Sequence, residues 1–268
     1  MNIKKRYIHT ILGHSMGAGI AIWYSSIFPE DIDRMISMDL VNVEPLTLEK
    51  HVKKTGESIK QGVEVFKKLS KSDTVPTYTY EDAVARAYMA NQFHLGNYVH
   101  ILISVFNENL VHIFWHFKNV LSIAKGEQLF SVNSITQEAV EILMKRGLKK
   151  VGEDEYTWTA DLRLRIPSAF NVLEEQVEHY ASNIKCPMML LKATGSHYYM
   201  KKELAKRIIN VYRNHNPNFE IHKIDGGHHV HMTNPERVSG LINEFLCKTD
   251  FDDINEEKDD KSPRFDLF

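Results

Sequence analysis

The sequence predicts an α/β protein with a mostly parallel sheet, and two patterns lead to that class. Short apolar runs at residues 7–12, 35–41 and 186–193 each precede a stretch with helical spacing, and residues 219–224 alternate apolar and polar side chains. A short, continuous apolar run is typical of a strand that is covered on both faces, as in a parallel sheet. We therefore expect strands and helices to alternate along the chain.

A long helical segment interrupts these strands. Residues 41–183 are mainly helical in pattern, which is the character of a lid inserted between two strands of a sheet. We expect a core formed by residues 1–40 and 184–248, this lid, and a charged tail at 249–268 that is disordered because it has little to bury. Within the lid, residues 92–131 are strongly apolar and aromatic. They form either a hydrophobic extension that contacts lipid substrates or an insertion without a partner, and we favour the insertion.

Composition narrows the class further. The chain has 268 residues, a net charge of −2 and two cysteines. This length fits one domain with an inserted subdomain, and a charge near zero offers no electrostatic reason to expect nucleic acid or an anionic membrane as a partner. No clean apolar run has the length of about 18 residues that a membrane span needs. Two cysteines without a framework fit a reducing compartment, so we expect a cytoplasmic protein. The peroxisome is the alternative, although the chain does not end in Ser-Lys-Leu.

The most informative motif is the run Gly13-His14-Ser15-Met16-Gly17, which has the pattern G-x-S-x-G. Because it lies between an apolar strand and a helix of small residues, it predicts a nucleophile elbow, the strained turn that exposes the serine of an α/β-hydrolase. Ser15 is then the nucleophile, and the Met16 amide is a donor to an oxyanion. Side chains at Gly13 and Gly17 are expected to collide with the strand and the helix. The alternative is a structural glycine-rich turn that happens to contain a serine.

A serine hydroxyl needs a base, and in this fold the base follows the last strand. Three histidines lie there, in the loop that contains Gly226 and Gly227. We choose His228 as the base because it directly follows the two glycines, and His229 is the second choice. A zinc site is a weaker interpretation, because metal sites need a helical H-x-x-x-H spacing with a carboxylate. Surface histidines in a histidine-rich chain are a further alternative.

The acid that would orient the histidine is harder to identify. The usual position is the loop after the strand at 186–193, and residues 194–199 contain no carboxylate. Asp39, at the end of the preceding strand, is the best substitute, since an acid there can reach a histidine from a neighbouring strand end. It is equally consistent with a strand-end residue that hydrogen-bonds a loop. Glu174 and Glu175 are weaker candidates.

Together these motifs resemble the serine hydrolase-like proteins, the animal α/β-hydrolase group that includes the kraken-type serine hydrolases of insects. The similarity extends over residues 5–90 and 134–248. Five segments carry it: residues 12–19, 38–41, 156–164, 226–231 and 234–237. The resemblance implies an α/β-hydrolase fold with a helical lid, Ser15 as nucleophile and His228 as base. It implies a chemistry and leaves the substrate open.

The resemblance also implies features that this sequence does not contain. Members of the group have the first strands and a His-Gly oxyanion loop ahead of the elbow, so we expect an α/β-hydrolase fold that lacks its first strands, in an N-terminally truncated chain. The elbow strand would then present an unpaired apolar edge, and one of two oxyanion donors would be missing, which typically lowers turnover about 100- to 1000-fold.

The sequence thus predicts a serine hydrolase that acts on a small ester-like substrate through an acyl-serine intermediate, without a cofactor or metal. The truncated chain itself is expected to be weak or inactive. The alternative is a truncated, non-catalytic homologue that acts, if at all, as a binding protein. A Ser15-dependent esterase activity would exclude that alternative.

Overall fold

The computed structural model describes residues 8–71, 76–92, 135–166 and 172–249. Its centre is a four-stranded sheet in the order β1-β2-β5-β6, with every neighbouring pair parallel. The strands are β1 (Ile8–His14), β2 (Ile32–Met38), β3 (Leu148–Lys150), β4 (Tyr156–Trp158), β5 (Met188–Ala193) and β6 (Phe219–Ile224). The helices are α1 (Met16–Ile27), α2 (Leu48–Lys71), α3 (Tyr80–Gln92), α4 (Gln137–Gly147), α5 (Glu174–Ser182), α6 (Lys202–His215), α7 (Val230–Thr233) and α8 (Glu236–Cys247).

Two apolar layers enclose the sheet, because alternate residues of each strand point to opposite faces. In β5, Met188 and Leu190 join the cluster that α1, α5 and α6 cover, whereas Met189 and Leu191 join a second cluster with α8. All six residues of β5 are buried, as expected for an interior parallel strand. This burial confirms the predicted α/β class with its mostly parallel sheet.

Between β2 and β5, the residues that the structure describes are mostly helical. They include α2, α3 and α4, followed by a small antiparallel ribbon of β3 and β4. A separate apolar cluster joins α3 to α4 through Val84, Ala87 and Val140. Apart from Gln92, the apolar stretch 92–131 lies outside the described residues, and so does the tail apart from Thr249. The described residues contain no helix that is both long and apolar enough to cross a membrane.

The order of the strands positions the functional residues. Because parallel strands all point the same way, β1, β2, β5 and β6 present their carboxyl ends at one edge of the sheet. Ser15 follows β1, Asp39 follows β2, and His228 lies a short loop beyond β6. Among the described residues β1 is an edge strand, and Leu12 on it is substantially exposed. The sequence therefore brings three of its predicted site residues to the same edge.

Candidate active site

Ser15 occupies the strained turn that the motif predicts. Its φ of 54° and ψ of −120° lie in a region that residues other than glycine rarely adopt. Holding a residue there typically costs about 1–3 kcal/mol of folding free energy. Two backbone hydrogen bonds hold this geometry. The Ser15 amide donates to the Met38 carbonyl at 3.2 Å, and the Ser15 carbonyl accepts from the Gly19 amide at 3.1 Å. The sheet and the helix therefore both hold the strained backbone of Ser15 in place. Backbone strain of this kind clusters at functional sites.

The two glycines of the motif have different roles, and the expected collision at Gly17 is wrong. A Cβ on Gly13 would lie 2.3 Å from the Gly17 carbonyl oxygen, so any side chain there would displace the backbone of the turn. A Cβ on Gly17 would meet nothing within 4 Å. The reason is that Gly17 approaches Gly13 with its carbonyl group, while its own Cβ position faces open space.

Met16 is the first residue of α1. The backbone amides in the first turn of a helix have no hydrogen-bond partner within the helix, because the residues four positions earlier lie outside it. The helix dipole also makes this end electropositive. The Met16 amide therefore has the donor character that an oxyanion requires, at the position that the sequence predicts.

Asp39 and His228 form a buried hydrogen-bonded pair. The Nδ1 atom of His228 lies 2.5 Å from Asp39 Oδ2, and the two residues are 0 % and 2 % exposed. A carboxylate can only accept, so Nδ1 carries the proton in this bond. A neutral imidazole that is protonated on Nδ1 offers Nε2 as a base. Of the two predicted bases, His228 is thus the one oriented by an acid.

The other oxygen of Asp39 is bound as well. Oδ1 accepts from the Lys192 ammonium at 2.6 Å and from the Ala193 amide at 3.0 Å. Both interpretations of Asp39 therefore apply, because the same carboxylate orients His228 and hydrogen-bonds the end of β5. Burial acts to raise the pKa of Asp39, but the hydrogen bond from His228 and the charge of Lys192 outweigh it, and the pKa is lowered. Asp39 is thus ionised at neutral pH.

His14 and Tyr199 lie against His228, and neither contact is evident from the sequence. His14 Nε2 lies 2.8 Å from the His228 carbonyl oxygen, and the two rings are 4.5 Å apart. Burial and the neighbouring histidines lower the pKa of His14 to about 3, and burial followed by His228 lowers that of His231 to about 4. Both are neutral at pH 7, and since a carbonyl oxygen can only accept, Nε2 of His14 carries the proton and donates it. Tyr199, with a positive φ of 53°, packs its ring 5.1 Å from that of His228.

The other predicted candidates lie elsewhere. Glu174 and Glu175 are exposed on α5, and Glu174 forms an ion pair with Arg207 on α6. Within the described ranges, no group of three or more histidine, cysteine, aspartate or glutamate side chains could hold a metal ion.

The parallel sheet and the elbow define the class of protein: the chain has the α/β-hydrolase fold. A crystal structure of a hypothetical protein from Pseudomonas aeruginosa PAO1 superposes with a TM-score of 0.58 at 23% sequence identity, covering 89% of this chain and 67% of that one. A thioesterase domain from the curacin biosynthetic pathway gives a TM-score of 0.50 at 16% identity, covering 90% and 66%. The predicted fold is therefore confirmed.

The curated relatives of this chain are serine hydrolase-like proteins. The "serine hydrolase-like protein" of Danio rerio is 22% identical over 240 residues, covering 88% of this chain and 60% of the relative. The "probable serine hydrolase" of Drosophila melanogaster is 21% identical over 238 residues, covering 88% and 59%. No family model matches the chain. The chain thus spans about three fifths of the length of these curated relatives.

Proposed function

We propose that this protein is a serine hydrolase that acts on an ester-like carbonyl through an acyl-serine intermediate. The observation that carries the proposal is the buried Asp39–His228 pair, at the same sheet edge as a serine with the backbone strain of a nucleophile elbow. The names of the curated relatives support the same class of reaction.

The mechanism gives each residue one role, and His228 moves a proton in every step. Ser15 Oγ attacks the carbonyl carbon while His228 Nε2 takes its proton, and the Met16 amide donates to the oxyanion that forms. The tetrahedral intermediate then expels the alcohol, which leaves with the proton from His228, and an acyl-serine remains. Water, deprotonated by His228, attacks that ester, and the second tetrahedral intermediate expels Ser15 Oγ. Ser15 Oγ takes the proton back from His228 as the acid is released. Asp39 holds the imidazole in the required tautomer throughout.

A non-catalytic binding protein is the competing proposal, and one observation favours it. Leu12 on β1 and Ile20 on α1 are exposed by 45% and 59%, so the elbow side of the sheet presents apolar side chains to solvent. Such an edge can pair with another strand.

The two proposals differ in what Ser15 does. The purified 268-residue protein is treated with a fluorophosphonate probe, which reacts with activated serines, and the modified peptide is identified by mass spectrometry. We expect modification of the peptide that contains Ser15, loss of labelling in Ser15→Ala, and unchanged labelling in Ser239→Ala, whose serine is exposed on α8. With a nitrophenyl acyl ester, Ser15→Ala should lower kcat at least about 1000-fold. Equal labelling of the wild type and Ser15→Ala, or no labelling at all, would favour the binding protein.

A further inference from the structure

Lys192 is a buried cation that the proposed mechanism leaves unused. It lies in β5, where every residue is buried, and is itself 2 % exposed. An ammonium group is removed from water only at a large free-energy cost unless it is paired and hydrogen-bonded. Its Nζ lies 2.6 Å from Asp39 Oδ1 and 3.1 to 3.4 Å from three backbone carbonyl oxygens, those of Ala193, Ser196 and His197. These four oxygen acceptors more than satisfy the three donors of a charged ammonium, so one donor is shared between two oxygens.

We propose that Lys192 is a positioning residue of this site, which acts on His228 by fixing the carboxylate of Asp39. This inference rests on the proposed function, since it assigns a role within the same reaction. Lys192 and the Ala193 amide approach the same oxygen, Oδ1, at 2.6 and 3.0 Å. Two donors on Oδ1 fix the plane of the carboxylate, and Oδ2 is left to receive Nδ1 of His228 at 2.5 Å.

Lys192 also connects Asp39 to the loop that packs on the base. Its ammonium binds carbonyls of the loop 194–199 and lies 4.8 Å from the centre of the Tyr198 ring. The next residue, Tyr199, contacts the His228 ring. One side chain therefore ties together the acid and the loop beside the imidazole.

The charges around Asp39 make Lys192 the counterion of the site. The titratable groups that face this carboxylate come from β5, the loop after it and the loop after β6: Lys192, Tyr198, Tyr199, His228 and His231. A tyrosine never carries a positive charge, and burial lowers the pKa of His231 to about 4, so none of these three supplies one at pH 7. Burial lowers the pKa of Lys192, while the charge of Asp39 opposes that effect.

The first test replaces Lys192 by methionine, which keeps the length of the side chain and removes the charge and the donors. We expect the rate of fluorophosphonate labelling at Ser15 to fall about 10-fold or more at pH 7, as when a group that orients a catalytic residue is lost. The acid limb of the pH–rate profile should move to higher pH, because Asp39 loses a partner that keeps it ionised. Lys223→Met is the matched control, since Lys223 is the exposed register partner of Lys192 on β6. Its rate and pH profile should equal those of the wild type.

A purely structural role is separated from positioning by repeating the substitution in Asp39→Asn, with incubations long enough for its slower labelling. If Lys192 acts through Asp39, the double variant Asp39→Asn/Lys192→Met should label within about 3-fold of Asp39→Asn, because coupled residues are not additive. A further 10-fold loss would overturn the proposal. The double variant leaves neither the carboxylate nor the ammonium buried without its partner, and in Asp39→Asn three backbone carbonyls still bind Lys192, so the comparison can be made even where Lys192→Met alone does not fold.

Ser15→Ala distinguishes failure of this inference from failure of the proposed function. If Ser15→Ala abolishes labelling but Lys192→Met leaves both the rate and the acid limb unchanged, only the role of Lys192 is refuted. If wild type and Ser15→Ala label equally, or neither labels, the proposed function fails and the role of Lys192 fails with it.

Discussion

Replacing Asp39 by asparagine tests the orientation of the proposed base. In the structure, Oδ1 accepts from Lys192 and from the Ala193 amide, whereas Oδ2 accepts from His228 Nδ1. Only one atom of the new amide can accept, so we expect its oxygen to occupy the Oδ1 position, where two donors converge, and its NH2 group to face Nδ1. Nδ1 must then act as the acceptor and the proton moves to Nε2. The imidazole is held in the tautomer that cannot take a proton from Ser15.

The expected loss is large because the geometry stays intact while the tautomer is wrong. The same change in a serine protease triad lowers kcat by about 10,000-fold, and we expect that order of magnitude for Asp39→Asn. The assay is kcat for a nitrophenyl acyl ester at pH 7, with the far-UV circular dichroism spectrum as a check on folding. Asp225→Asn is the matched control, since that carboxylate lies in the same histidine loop but is 91% exposed. An Asp39→Asn enzyme within about 3-fold of the wild type, or an equal loss in Asp225→Asn, would refute the argument.

Two further predictions concern stability, both measured by urea unfolding. Gly13→Ala should lower the free energy of unfolding by about 3 kcal/mol or more, because its Cβ meets the backbone of the turn. Gly17→Ala should raise the free energy of unfolding by up to about 1 kcal/mol, since that Cβ meets nothing and alanine favours the helix. Equal losses in both variants would contradict the different roles of the two glycines. His14 and His231, with pKa values lowered from 6.5 to about 3 and about 4, bind protons in the unfolded chain before they do so in the folded protein. Stability should therefore be unaffected by these two groups above pH 6.5 and fall below it by about 1.4 kcal/mol per pH unit for each, levelling off near the folded pKa values. A flat profile between pH 6.5 and 4.5 would show that the histidines are not buried together.

The parts of this structure that the sequence predicts well are those that follow from chain order. A parallel sheet brings strand ends to one edge, so chain order predicts that three residues converge: a serine after one apolar run, an acid after the next and a histidine after the last. Asp39 and His228 do so, although 189 residues separate them. The acid was predicted by elimination, because the loop 194–199 contains no carboxylate. Its dual hydrogen bonding could not be predicted, since it depends on where the amide of Ala193 points.

Residues whose role depends on side-chain contacts across the sheet were not found in this way. His14 occupies a variable position of the elbow motif, and its bond to the His228 carbonyl joins residues that are 214 positions apart. Lys192 had a detectable signal: a lysine within the apolar run Met188–Ala193 must be paired if the strand is buried. That signal predicts a counterion, and the nearest strand end with a carboxylate is Asp39. The expected collision of a side chain at Gly17 is wrong because the motif specifies which residue is small, and does not specify which of its atoms makes the close contact.

The position of the acid explains why this site contains a buried lysine. Asp39 has a left-handed backbone with φ of 57°, which aspartate tolerates better than most residues, so the carboxylate can turn from the end of β2 towards β5 and β6. There it is almost completely buried, and the proposed base, His228, supplies a hydrogen bond to one of its oxygens. A buried carboxylate with that bond alone tends to become protonated, and a neutral acid no longer stabilises the imidazolium that forms when His228 takes a proton. Lys192 supplies the positive charge that keeps Asp39 ionised. It can do so from the adjacent strand because β5 lies between β2 and β6 in the sheet. An acid at the end of β2 and a cation on β5 are therefore one arrangement, and removing the charge of either residue leaves the other without its counterion.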